Sequence, residues 1–343
     1  MFRAIPHLIL LLLLGGWFSI SLFACKSTSP SEPKLPTLPS LTDPIPYARL
    51  GQGKLLFERI GPTNNNYQGL YVLDIANSRA SSSINGTTET PSLSPDGQKI
   101  IYAQSIPGGG IEWETFVANI DGSSPQNISG IVGRDIYPSW STNSLAVLFF
   151  VDSTVDGAVR LYRQSPVATP SNRVEITKFN PPRIPLGSAS VSPTERLVLI
   201  SHGESIVEIH TMNMNGTDPK LLVSNSTAGK SLYSPVWSRD GQKIAYIAAY
   251  QDANGQYNSL DIMLMSVDGS NQVVLAAPQA SGRGYGGQGE LSLSWSPDGS
   301  KIVFNRPEGD LVSHLYLINA DGSGLVQVTS AAGVADRNVS WAN

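Results

Sequence analysis

The sequence predicts an all-β protein, a six-bladed β-propeller with four antiparallel strands per blade, and three observations point to it. One phrase recurs along the chain: PSLSPDGQKIIYA at 91–103, PVWSRDGQKIAYIA at 235–248 and LSWSPDGSKIVFN at 293–305. Weaker copies are PSWSTNSLAVLFF at 138–150 and ASVSPTERLVLIS at 189–201, and the final VSWAN is its opening alone. The apolar residue before the repeated serine falls at Leu93, Trp140, Val191, Trp237, Trp295 and Trp341, at intervals of 47, 51, 46, 58 and 46 residues. A period of this length marks a repeat architecture, in which one unit cannot bury its faces without neighbours. The composition agrees: 32 glycines, 24 prolines and only 15% charged residues suit a turn-rich β protein.

Each element of the unit follows from local chemistry. An inner strand ends in Trp-Ser, and Ser-Pro-Asp-Gly supplies a tight hairpin turn in which Gly takes positive φ. A second strand such as KIVFN follows. The third is HLYLINADGSG (His314 to Gly324), matched by LDIMLMSVDGSN, VEIHTMNMNGTD and ETFVANIDGSS, and its Asp-Gly or Asn-Gly is the next turn. A short fourth strand such as LVQVTS completes the sheet. At the ends, GKLLFER (53–59) and GLYVLDIANS (69–78) are second and third strands that lack a first, whereas VSWAN is a first strand alone. Joined, they make a sixth blade closed by the carboxyl-terminal strand, which leaves no open edge in the ring.

The amino end reads as a targeting segment. Arg3 precedes an apolar run from Ile5 to Ala24, and Cys25, the only cysteine, ends it, so a disulfide framework is excluded. Residues 1–25 resemble a bacterial lipoprotein signal, which implies Cys25 as the lipidated residue. Residues 26–49, rich in Pro and Ser, read as a disordered linker, and 50–343 as the propeller.

The phrase W-S-P-D-G-x-K-I, followed by a strand ending in x-D-G-S, resembles the WD-like repeats of the TolB propeller from about Lys54 to Asn343. The α/β domain that precedes the propeller in TolB is not expected here, because the Pro/Ser linker occupies its place. The resemblance implies a six-bladed fold and a protein partner in the cell envelope.

The repeated residues themselves read as structure. Ser94, Ser141, Ser192, Ser238 and Ser296 are turn residues whose hydroxyls bond local backbone, and no G-x-S-x-G surrounds them. A lone Asp before Gly, as at Asp96, Asp121, Asp240, Asp268, Asp298 and Asp321, lacks the alternating oxygens of a calcium loop. Trp140, Trp237, Trp295 and Trp341 share one repeat position and are expected to pack between blades. His202, His210 and His314 fall at different strand positions, so no metal site and no cofactor are expected. SGRGYGGQGE (281–290) precedes no helix and reads as a rim loop rather than a phosphate loop.

The informative residues lie just before each inner strand. GRDIYPSW, PPRIPLGSASVS, GKSLYSPVW, GRGYGGQGELSLSW and ADRNVSW each carry one basic residue: Arg134, Arg183, Lys230, Arg283 and Arg337. The remaining blade has Glu89 there. These connections converge on one mouth of the central channel, so the five cations, with Tyr137, Tyr233 and Tyr285 beside them, are expected to ring it. Asp135, Glu290 and Asp336 offset part of the charge. Converging positive charge in a concave site attracts an anionic group, and Arg pairs well with carboxylates.

The expectation is therefore a non-enzymatic, monomeric, membrane-tethered extracytoplasmic propeller (a lipoprotein on the periplasmic or cell-surface side). Its mouth engages an envelope protein or an anionic peptide or saccharide segment. The net charge of −4 offers no nucleic-acid scaffold. Changing Arg134, Arg183 and Arg337 to Glu is expected to abolish capture with the fold intact. The second reading is a carbohydrate-binding or carbohydrate-active propeller, lyase- or hydrolase-like, using the same mouth.

Overall fold

In the computed structural model each strong copy of the phrase is a hairpin whose turn is closed by its own side chains. Ser94 Oγ donates to Asp96 Oδ1 at 2.5 Å and accepts the Lys99 amide at 2.9 Å. The same pair of bonds recurs at Ser238 with Asp240 and at Ser296 with Asp298. The serine locks the turn because its hydroxyl replaces a ladder partner where the chain reverses.

The described residues are 41–343, less 62–66, 85–87, 107–112, 131–132, 154, 168–172, 180–183, 186, 188, 195, 203–206, 226–229, 253, 255–256 and 277–290. The signal segment with Cys25, and the linker up to position 40, lie outside them. One helical turn, Tyr47–Leu50, precedes the strands, and no helix among the described residues is long and apolar enough to cross a membrane.

The strands run antiparallel to their sequence neighbours within short meanders. The first comprises β1 (Lys54–Ile60), β2 (Tyr67–Asp74) and β3 (Arg79–Ser82). The next has β4 (Thr88–Leu93), β5 (Lys99–Ser105), β6 (Trp113–Asn119) and β7 (Gln126–Asn127). It is followed by β8 (Arg134–Trp140), β9 (Val147–Asp152), β10 (Val159–Gln164) and β11 (Val174–Phe179). In the meander after that, the inner strand is broken into β12 (Ile184–Pro185) and β13 (Ser190–Val191). Both pieces pair with β14 (Arg196–His202), and β15 (Val207–Asn213) and β16 (Lys220–Asn225) lie beyond. β17 (Lys230–Trp237), β18 (Lys243–Gln251), β19 (Tyr257–Ser266) and β20 (Val273–Ala276) form a sheet of their own. The chain ends with β21 (Leu293–Trp295), β22 (Lys301–Gly309), β23 (Val312–Asn319), β24 (Val326–Gln327) and β25 (Ala335–Ala342). β25 touches β23 by one parallel bridge, Ser313 to Ala335, and pairs antiparallel with β1, Leu55 opposite Trp341 and Ile60 opposite Ala335.

The core lies between meanders, not within one. Trp140 packs with Ile101, Val117 and Ile128 of the preceding meander, and Trp237 with Val207 and Ile209. Trp341 is 1% exposed, beside Val303, Leu315 and Leu317 from one side and Leu55, Tyr71 and Leu73 from the other. The glycine of the second turn adds a backbone contact to this packing. Gly122 (φ +82) and Gly322 (φ +86) press their bare Cα atoms against the main-chain oxygens of Ser83 and Leu275 in the outer strand of the preceding meander. A side chain there would both strain the backbone and push two meanders apart.

The linker ends sooner than its composition suggests. Leu41, Ile45 and Tyr47 pack on the core around Trp341, and Asp43 accepts the Ser330 and Ala331 amides at 2.6 and 2.7 Å. Three apolar side chains and one well-bonded carboxylate suffice to fix this stretch, Pro and Ser notwithstanding.

Trp341→Ala is expected to destabilise the domain by about 3–5 kcal/mol, because it empties a buried junction between the first and last strands. A urea unfolding midpoint that stays at the wild-type value would contradict this role.

Candidate functional site at the channel mouth

A bulge at one repeated position divides the inner strands into an outer and an inner half. The register slips between Glu89 and Ser92 in β4, between Ile136 and Ser139 in β8, and between Tyr233 and Val236 in β17. The slipped residues Thr90, Tyr137, Ser234 and, in β25, Asn338 all have φ between 45° and 54°. Three of them precede a proline, Pro91, Pro138 or Pro235. Proline has no amide to donate, so the ladder cannot continue through it, and the bulge absorbs the break. Beyond the bulge, the second halves of the inner strands enclose a cavity of about 580 Å³. Before it lie the charged residues of the mouth.

Those charges are paired. Arg134 Nη2 donates to Glu89 Oε2 at 2.9 Å and Oε1 at 3.1 Å, and its guanidinium covers the Trp113 ring at 5.5 Å. Arg337 Nε donates to Glu58 Oε2 at 2.7 Å, and Asn338 Nδ2 donates to the same oxygen at 2.8 Å. Glu58 is fully buried, and burial pushes its carboxyl above the usual range against the pull of Arg337 and Asn338. Glu89 raises it further, which places the two pairs side by side. At the mouth Arg337 and Arg134 therefore each stand opposite a carboxylate, Glu58 and Glu89, and are not unopposed cations. Lys230 opens β17 with Nζ 5.5 Å from the Tyr250 ring centre, and Tyr233 packs partly buried nearby.

Other expected members are placed differently. Tyr137 packs in the core with its ring edge-on to Phe150, and burial pushes its hydroxyl up to about 12. It is a packing residue because the bulge turns it inward. Arg183, Arg283, Tyr285 and Glu290 lie outside the described residues. Asp135 and Asp336, assigned above to the mouth, are fully buried and serve elsewhere. Asp336 takes two bonds from Arg59, Nε at 2.6 Å and Nη2 at 2.7 Å, while Arg59 Nη1 reaches Asp43 at 2.7 Å. Burial pulls the Arg59 guanidinium down, and its two carboxylates more than offset this, so it ends above its ordinary value. Asp135 occupies the same repeat position without a cation bonded to it. It accepts the Thr115 amide at 2.8 Å, and burial pushes it up to about 7.

Sequence reasoning missed Glu58, which hides inside the apolar strand KLLFERI. It also passed over the serines two residues before the repeated one, namely Ser92, Ser139, Ser190, Ser294 and Ser340, which line the cavity. Their recurrence in the phrase was the available signal. The histidines stay apart: His210 Nε2 meets Glu208 at 3.1 Å, and His314 sits between Glu308 at 2.7 Å and the Ala331 oxygen at 2.9 Å. Among the described residues no group of three His, Cys, Asp or Glu is arranged to hold a metal ion.

Two measurements test this site. Arg337→Ala leaves Glu58 buried and unpaired and is expected to cost about 3–5 kcal/mol. Arg134→Ala removes a half-exposed pair and should cost about 1 kcal/mol or less. Equal urea midpoints for the two variants would refute the distinction, which also makes Arg337→Glu a poor probe of binding with the fold intact. For Asp135, the folded carboxyl at about 7 holds its proton more tightly than the ordinary 3.8. Its contribution is therefore fully present below the ordinary value and is lost as pH rises through about 7, by ~4 kcal/mol. Asp135→Asn is expected to flatten that loss in unfolding midpoints compared from about pH 4 to about pH 8. An unchanged slope would assign it to another group.

Comparison with known proteins fits this architecture. Residues 63–284 match the profile of the family described as the TolB beta propeller domain. TolB from Acinetobacter baumannii is similar in structure, with 18% identity and a TM-score of 0.65 over 84% of this chain and 66% of that one. The chain therefore spans just under two thirds of that TolB. A putative TolB from Agrobacterium tumefaciens (16% identity, TM-score 0.54) is matched over 85% of this chain and its own full length. An oligogalacturonate lyase in complex with manganese (15% identity, TM-score 0.51) is matched over 82% of this chain and 77% of that one. At these identities the likeness is one of fold. No curated protein matches the chain in sequence. With the profile spanning well over half its length, the chain belongs to the TolB β-propeller domain family.

Proposed function

We propose that this chain is a non-catalytic, six-bladed propeller of the bacterial cell envelope, tethered to a membrane through Cys25, that captures a protein partner at its channel mouth. The blade count is supported by the meanders of the fold, each opened by an inner strand, with β25 serving β1–β3 as theirs. Anchoring and an extracytoplasmic site are supported by the apolar run that ends at Cys25.

One observation carries the binding proposal: two carboxylate–guanidinium pairs, on β25 with β1 and on β8 with β4, gather at one rim. Arg134 and Glu89 keep 41% and 34% of their side chains exposed, whereas Arg337 and Glu58 are held rigidly behind them. A fixed pattern of both signs selects a polar protein surface by register and speeds encounter, more than it adds raw affinity. Lys230 extends the pattern on β17, and Trp113 under Arg134 offers the aromatic body that interfaces favour. An acidic saccharide would instead be best served by unopposed cations, which this pairing does not leave at Arg134 or Arg337.

Crosslinking in the native envelope followed by identification of the captured protein tests this reading. The combined change Arg134→Glu and Lys230→Glu, at two partly exposed positions, is expected to lower capture at least tenfold with an unchanged unfolding midpoint. Capture equal to wild type would overturn it.

A further inference from the structure

The far end of the channel holds a cation that the repeat does not call for. In the turn of the phrase, Pro95, Pro193 and Pro297 follow the repeated serine; after β17 that place belongs to Arg239. Its Nη2 donates to the main-chain oxygens of Trp295, at 3.3 Å, and Trp341. The side chain thus reaches from its own meander across the ends of β21 and β25. It stays open to the channel water while protein surrounds it, and burial pulls its pKa below the ordinary value. No carboxylate side chain is among the residues that line the cavity, and Arg239 is the one charged side chain there. Its Nε and Nη1 have no hydrogen-bond partner among the described residues.

The cavity wall supplies further donors. Ser190, Ser294 and Ser340 accept the main-chain amides of Trp237, Trp341 and Leu93 on the next inner strand, at 3.0–3.1 Å. A hydroxyl that accepts an amide keeps its own hydrogen to donate. Ser139, only 7% exposed, has an Oγ with no partner among the described residues. A guanidinium and donor hydroxyls, with no acidic side chain among the described lining residues and no ion pair from Arg239 to the main-chain carboxyl of Asn343 beside it, make a wall suited to a negative group. The volume of about 580 Å³ falls within the usual range of small-molecule sites, roughly 300–1,000 Å³.

We propose that the channel binds a small organic monocarboxylate, with its carboxylate on Arg239 and its body in the serine-lined cavity. The one charged side chain among the described lining residues can pair one carboxylate; the second charge of a dianion would find no side-chain partner there. Arg239 lies at the opposite end of the inner strands from the protein-binding mouth, and the cavity reaches back only to the bulge, where Asn338 lines it. The seven residues of β8 separate the two ends by about 20 Å at roughly 3.3 Å per residue.

Titration of the full chain with benzoate, its neutral isostere benzamide, and sulfate tests the assignment, read by saturation-transfer NMR and by the fluorescence of the cavity tryptophans. Benzoate is expected to bind saturably, at least tenfold more tightly than benzamide, and sulfate should fail to displace it. Arg239→Gln should weaken benzoate at least tenfold. Val236→Glu, which sets a carboxylate into the same wall, should do likewise and serves if the first variant does not fold. Absence of saturable benzoate binding, equal binding of benzamide, displacement by sulfate, or wild-type affinity in either folded variant would overturn the proposal. None of these results depends on a partner at the mouth.

Discussion

The two bonds from Arg59 to Asp336 lie where the first strand of the domain meets the last, and much of the structure hangs on that junction. β1 has no sequence neighbour on its inner side, so β25 must come from the far end of the chain to pair with it. Closing so long a loop has an entropic cost that grows slowly with length. Hydrophobic burial around Trp341 offsets it without fixing which strand belongs there. A buried, two-pronged ion pair adds direction, because a strand without an aspartate at that register would strip Arg59 of two of its three carboxylate bonds in the interior. Asp43 then shares the same guanidinium and ties residues 41–50 to the junction.

The proline-linked bulge gives the inner strands two functions. Outside it, side chains reach the mouth, where Arg134 pairs with Glu89 and Arg337 with Glu58. Inside it, small hydroxyls face the channel and bond the neighbouring strand. Residues held at positive φ without glycine store strain, commonly of order 1–3 kcal/mol each. Four of them at one repeated position would be an odd burden for a scaffold alone. The strain is explained if the strands must present two chemistries in one short length.

The fold was legible in the sequence because a repeat exposes its own grammar. Ser94, Asp96 and Gly97 announce one turn, and two other parts of the chain repeat the announcement. The tryptophan column reads as packing for the same reason. The mouth was only half legible. Its cations stand out, being irregular residues before a regular phrase, but their partners do not. Glu58 is 279 residues from Arg337, and no local pattern marks a carboxylate inside KLLFERI as buried. Asp135 and Asp336 share a repeat position and burial raises both carboxyls, yet only Asp336 is bonded to a guanidinium, since Arg59 arrives from another strand. Tyr137 looks like a rim residue until the bulge is known.

These cases lead to a general constraint on function in a symmetric ring. Positions that recur in every copy of the phrase are committed to holding neighbours together, as the serine–aspartate turns and the tight glycines are. A ligand or partner does not repeat as the blades do, so what recognises it must break the pattern. The breaks in this chain are few and concentrated: Arg239 where prolines stand, Val236 where serines stand, Glu89 where cations stand, and Arg59 where other second strands carry no guanidinium bonded to an inner-strand aspartate. Arg239 and Val236 belong to one turn and one strand end, and both line the channel. Glu89 and Arg59 lie at the opposite end, beside the mouth and the junction of the termini. The asymmetry therefore falls at the two ends of the inner strands, which is where a propeller can act without loosening the contacts between its meanders.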